Sequence, residues 1–229
     1  MDKFNNTPPD RFVFLDLLRG FAVFLMIIFH LGYDLSHFNF YHIDFFRDPI
    51  WYYFPRVIVL LFMISVGISL NLVHYPTIRW KSFGKRQFKI FIFAIIISIT
   101  TYFIFPKNWI YFGTLHSIFI CSIFALPFIG RKKASIAMTL VILILYLLNI
   151  QVPWIKLTKN SLDYIPPFPW IGFVTLGIVL QFYNIHKIQI KTNLLVKYLV
   201  YLGKNSLIIY IIHQPILFSF IYLMNKVLH

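Results

Sequence analysis

Four ionisable residues sit in a stretch that hydrocarbon should exclude them from. The apolar run 14–34 holds Asp16, Arg19, His30 and Asp34. Even lenient insertion scales put the cost of a charged side chain at a membrane helix centre at roughly 2.5–3.5 kcal/mol, so each is a functional candidate. At 100° per residue, with Arg19 at zero, His30 falls at about 20° and Asp16 and Asp34 at about 60°. All four share one narrow stripe. Helix rise separates Arg19 from His30 by roughly 16 Å. One face therefore carries a charged pair towards one end and a His/Asp pair towards the other. Asp34 lies four residues after His30, within reach of its imidazole. The chemistry on offer is proton abstraction. The bland alternative is a polar stripe that only pins the helix to its neighbours.

Further candidates lie elsewhere. Arg56 follows Pro55 early in the apolar run 50–73, His116 comes early in 110–129, and Asp163 and Tyr164 just precede 165–183. Arg56 alone reads equally well as an arginine snorkelling to headgroups, and His116 as an interhelical hydrogen bond. In the last run, with Ser206 at zero, Tyr210 falls at about 40° and His213 at about −20°, with Gln214 adjacent. Pro215 removes a backbone bond and clashes with the carbonyl of Ile211, which predicts a kink beside His213 and Gln214.

The elements that must position these residues are membrane helices. The chain has 229 residues, of which 59% are hydrophobic and only 12% charged, with Asp as its sole acid and a formal net charge of +14. A soluble domain carries roughly 25% charged residues. The composition excludes a soluble globular protein, a disordered chain and a nucleic-acid-binding domain. The fold class expected is all-α, a single-domain polytopic bundle. Seven runs are long enough to span: 14–34, 50–73, 88–105, 110–129, 134–152, 165–183 and 206–227. A shorter piece, 194–202, carries Lys197 and reads as an interfacial helix. The start of the first run is broken by Asp16 and Arg19 and no small-residue cleavage site follows, so it reads as a retained helix and not a signal peptide.

The loops alternate in charge. Lys3, Arg11, Arg79, Lys81, Lys85, Arg86, Lys89, Arg131, Lys132, Lys133, Lys187, Lys191, Lys197 and Lys204 fall on one side. Arg47, Lys107, Lys156, Lys159 and Lys226 fall on the other. Basic loops stay in the cytoplasm, so the N-terminus is expected inside and the C-terminus outside. Cys121 is the only cysteine, which leaves no intrachain disulfide and no cysteine metal site. Nucleotide-binding glycine loops and paired-histidine metal motifs are missing, and no metal is expected.

The string Arg11-Phe-Val-Phe-Leu-Asp16-Leu-Leu-Arg19-Gly20, followed by Phe29-His30 and Tyr33-Asp34-Leu35, resembles the bacterial branch of the heparan-α-glucosaminide N-acetyltransferase catalytic domain. Phe112-Gly-Thr-Leu-His116, Pro167-Phe-Pro-Trp170-Ile-Gly172 and Leu202-Gly-Lys-Asn-Ser206 leading to His213-Gln214-Pro215 carry the same likeness. The ten residues between Arg19 and His30 also resemble the signature of the wider membrane acyltransferases. The resemblance implies an acyl group taken from acyl-coenzyme A in the cytoplasm and passed to a sugar across the membrane. It puts acetyl-CoA as donor and does not itself give the acceptor in bacteria; the partners expected are membrane lipid, acyl-CoA, an extracytoplasmic sugar or glycan and a homo-oligomer. It also implies a catalytic histidine in the outer loop after the first span, where His42 competes with His30.

The expected site follows. His30 oriented by Asp34, or His42, is the base. Arg56, His116 and Asp163 serve the oxyanion or the sugar. Asp16, Arg19, Asn205, Ser206, His213 and Gln214 line the coenzyme A path. The rival reading is a proton-coupled transporter, since membrane His/Asp pairs also relay protons.

Overall fold

The computed structural model describes residues 12–45, 47–157, 160–191 and 193–228. Lys3, Arg11 and Lys159, which enter the charge asymmetry, lie outside them. The described chain is all-helical. Its helices are α1 (Val13–His37), α2 (Pro49–His74), α3 (Trp80–Ile104), α4 (Thr114–Phe124), α5 (Lys132–Leu147), α6 (Pro167–Phe182), α7 (Leu194–Lys204) and α8 (Ser206–Leu228). Among the described residues there is no strand, only an isolated bridge between Phe112 and Tyr164.

Four helices, α1, α2, α3 and α8, are long and apolar enough to cross a membrane. The other three expected spans are shorter. α4 has 11 residues and α5 and α6 have 16 each. At 1.5 Å per residue these cover about 17 and 24 Å, against a hydrocarbon core of about 30 Å. The run 110–129 is cut at both ends: Gly113 precedes α4, and Pro127 sits in the 3-10 turn Leu126–Phe128 that follows it. The basic segment 79–89, expected as a loop, instead forms the first turns of α3. Lys, Arg and Gln are good helix formers, and their aliphatic stems can lie along an apolar helix while the charge reaches out.

Local signals account for several ends. Asp48 accepts a 2.9 Å hydrogen bond from Ile50 N–H ahead of Pro49, and Asn193 accepts one of 2.8 Å from Val196 N–H at the start of α7. These side chains satisfy backbone donors that have no helical partner. α5 and α6 give way to Asn149 and Asn184, both at positive φ, a conformation asparagine tolerates.

The bundle is built on close helix pairs, α2 on α6, α5 on α6 and α1 on α7. Two are backbone-to-backbone. A Cβ on Gly20 would lie 1.7 Å from the Leu199 carbonyl oxygen, and one on Gly203 would lie 1.8 Å from that of Asp16. Gly67 and Gly177 meet in the same way between α2 and α6. Ala22, Val23 and Met26 of α1 join Met63, Val66 and Leu70 of α2 and Val174 and Ile178 of α6 in the core. Several polar groups between α2, α5 and α6 are paired. Asn71 Oδ1 accepts from Gly130 N–H at 2.8 Å, its amide donates to Gln181, and Thr139 and Thr175 hydroxyls lie 2.8 Å apart. The flanks of α3, α5 and α8 expose Phe88, Phe103, Leu147 and Phe220, a surface suited to lipid.

Candidate active site

Two helices make the centre of the site. α1 contributes His30 and Asp34, and α8 contributes Tyr210, His213 and Gln214. The Gly20–Gly203 contact sets their register. It fixes α7, and so the start of α8, about one turn into α1. From there His213 rises roughly 10 Å above Ser206 while His30 rises roughly 15 Å above Gly20. The two histidines arrive at a similar depth, with ring centroids 4.8 Å apart and planes inclined at 59°.

Each partner is defined. Gln214 Nε2 donates to Asp34 Oδ1 at 2.8 Å. His213 Nδ1 lies 2.8 Å from the Tyr210 carbonyl oxygen and 3.2 Å from that of Ile209. A nitrogen facing two acceptors must carry the proton, so His213 is the Nδ1–H tautomer and its Nε2 holds a lone pair. That Nε2, Asp34 Oδ2 and Gln214 Oε1 are all buried without a hydrogen-bond partner among the described residues. Buried polar groups are normally paired. Three orphaned acceptors in one cluster mark a place that expects donors. Phe29 closes one flank, T-shaped to His30 at 5.4 Å and packed on Trp51 and Phe54.

The expectation that Asp34 orients His30 is therefore not the arrangement found. Asp34 accepts from Gln214, and the His213 ring lies beside that of His30. His213 and Gln214, expected on the coenzyme path, lie with His30 and Asp34. Measuring depth from the start of each span, instead of reading each helix face alone, would have shown this.

His116 is committed elsewhere. Its Nδ1 accepts from Gly113 N–H at 3.2 Å, so the proton sits on Nε2, which lies 3.2 Å from Ser98 Oγ. Ser98 Oγ donates its own hydrogen bond to the Ile110 carbonyl at 2.7 Å. Both ring nitrogens thus serve the turn that starts α4. Asp163 Oδ2 accepts from Thr114 N–H at 2.8 Å and Thr114 Oγ1 at 3.0 Å, capping the same helix. Burial pushes its carboxyl above the usual range, against the pull of these two bonds. The loops before α4 and α6 are laced to hold it there, through Leu162 N–H to Asn108 O and Ile165 N–H to Phe112 O, both 2.9 Å. Tyr210, a residue with no role assigned from sequence, reaches Thr114 and Asp163 from α8. Its ring lies 5.9 Å from that of His213, so the α4 cap and the histidine pair adjoin.

Arg56 is exposed, with its guanidinium 3.7 Å above the Tyr52 ring and bonded to the Tyr52 carbonyl. His42 is exposed on the loop between α1 and α2, beside Ile43, whose N–H bonds Ser36 Oγ at 3.3 Å. Asn205 closes α7 with its amide on the Tyr201 carbonyl at 3.0 Å, and Ser206 opens α8.

At the other end of α1, Asp16 is buried and Arg19 half-buried. The charge of Arg19 acts on Arg86 of α3. Arg86 in turn donates to Ser122 Oγ at 3.3 Å and to Gln87 Oε1 at 3.5 Å. Two guanidiniums at this end of the bundle offer donors of the kind that bind a planar anion.

The sequence profile of heparan-alpha-glucosaminide N-acetyltransferase, catalytic, matches residues 11–215. The chain belongs to this family. The match runs from the start of α1 to Pro215 and so takes in both ends of the stripe on α1 and the histidine of α8. As a member of the acetyltransferase family, the chain carries its functional likeness in the helices that build the site. No curated protein and no solved structure matches it.

Proposed function

We propose that this chain is an integral-membrane acetyltransferase with seven crossings, its N-terminus cytoplasmic and its C-terminus outside. It moves an acetyl group from cytoplasmic acetyl-CoA to an amine or hydroxyl of a sugar at the outer face. The observation that carries the reading is the His30–His213 and Asp34–Gln214 cluster between α1 and α8, with its three unpartnered acceptors. An amine or hydroxyl offers the donors that this cluster lacks.

In the reading, acetyl-CoA supplies an activated acetyl thioester. Arg19 and Arg86 hold its phosphate charges at the cytoplasmic end, with Asp16, Asn205 and Ser206 shaping that mouth. The arm then covers the roughly 16 Å to His30. His30 takes the proton of the acceptor as its nitrogen or oxygen attacks the thioester carbon. Such base catalysis contributes typically 10²–10⁴-fold. The carbon–sulfur bond breaks and the sulfur leaves with that proton as the free thiol. Asp34, through Gln214, keeps α8 in register. We assign His116 and Asp163 to the start of α4, and Arg56 to the outer headgroup layer.

Acetyl-CoA binding to the purified protein tests the donor end. Lys85→Gln with Arg86→Gln should weaken binding at least tenfold and flatten its salt dependence, because charge neutralisation is what salt screens. Unchanged affinity and salt slope would remove the donor from this mouth.

A further inference from the structure

Resting on the acetyltransferase reading, we propose that His213 is the positioning residue for His30. Its Nε2 accepts the hydrogen bond of one His30 ring nitrogen, so that the other His30 nitrogen keeps the lone pair that takes the acceptor's proton. Three facts lead here. The Nδ1 proton of His213 is pinned to the Tyr210 carbonyl at 2.8 Å. The Nε2 lone pair is buried and has no partner among the described residues. The His30 ring lies beside it, 4.8 Å away between centroids. Rings at that centroid spacing are close enough for a nitrogen-to-nitrogen hydrogen bond once an N–H of one is turned to the lone pair of the other.

The tautomer logic separates the histidines. A neutral imidazole has one donor and one acceptor nitrogen, and the partner of one decides the role of the other. His116 has spent both on Gly113 and Ser98. His213 has spent only its donor, on its own helix, and offers an acceptor. An acceptor beside His30 fixes a His30 N–H in that direction. The carboxylate that sequence spacing nominated for this task, Asp34, receives Gln214 instead, which locks the residue next to His213. During transfer the new bond joins acceptor nitrogen or oxygen to the carbonyl carbon and the carbon–sulfur bond breaks. The proton passes from acceptor to His30 and on to sulfur. His213 itself gains and loses none.

The test compares His213→Leu, which removes the acceptor, with His213→Gln, whose Oε1 restores one. Free coenzyme A is measured as thiol release from acetyl-CoA with glucosamine as the probe acceptor. His213→Leu should lower kcat about 100-fold, within the range for a base catalyst, with KM for acetyl-CoA held within about twofold. His213→Gln should recover at least about tenfold of that loss. Nitrogen-15 spectra of histidine-labelled protein, assigned by the signals missing in His213→Gln, should show His213 protonated at Nδ1. Full kcat in His213→Leu, a Gln variant as slow as the Leu variant, or a His213 protonated at Nε2 would each overturn the proposal. Thiol release absent from the wild type would instead overturn the acetyltransferase reading beneath it.

Discussion

His116 illustrates how a residue type gives way to its contacts. Its Nδ1 takes Gly113 N–H and its Nε2 meets Ser98. Replacing it with Phe leaves the buried Gly113 N–H without its acceptor, worth about 1–3 kcal/mol, while Ser98 keeps its bond to Ile110. His116→Phe should lower the thermal midpoint of the purified protein by several degrees. The rate per folded molecule should fall less than tenfold, far less than for a base. A variant that keeps its midpoint but loses transfer would restore His116 to the chemistry. The stripe of Asp16, Arg19, His30 and Asp34 was legible from helix period alone, since one helix fixes its own geometry. The partners of the stripe were not. Gln214 on Asp34 and His213 on His30 join residues 180 and 183 positions apart in the chain, and nothing local in sequence encodes that pairing.

At the scale of elements, helix existence was readable and helix length was not. Apolar runs mark α1, α2 and α8 closely, because about 20 uninterrupted apolar residues leave little choice. α4 is cut short by Gly113 and Pro127, and α3 is lengthened by basic residues that the run 88–105 left out. The α1–α7 contact is the element on which both ends of the site depend. Gly203→Ala sets a methyl group 1.8 Å from the Asp16 carbonyl, so the helices must part. Overpacking of this kind costs about 1–3 kcal/mol. Since Arg19 lies one residue from Gly20, the variant should lose thermal stability and bind acetyl-CoA more weakly. Isothermal titration beside a melting curve checks both. Wild-type values in each would mean that the α7 backbone does not set the mouth.

For the whole molecule, charge asymmetry ties topology to chemistry. The reading needs the Arg19–Arg86 end in the cytoplasm and the His30–His213 end near the outer face. Cysteine placed at Lys132 should resist a membrane-impermeant thiol reagent in whole cells, and cysteine at Lys156 should react. Cys121 is fully buried and gives no background. Labelling at 132 and protection at 156 would invert the orientation and move the donor to the wrong side. The central claim is that this family member transfers acetyl groups through His30. The most direct measurement is transfer of radiolabelled acetyl from acetyl-CoA to glucosamine by purified wild type, His30→Ala and His42→Ala. The account predicts product from wild type and from His42→Ala, and a loss of at least about 100-fold in His30→Ala with acetyl-CoA binding retained. Most of the wild-type rate in His30→Ala beside an inactive His42→Ala would contradict it and place the base on the outer loop.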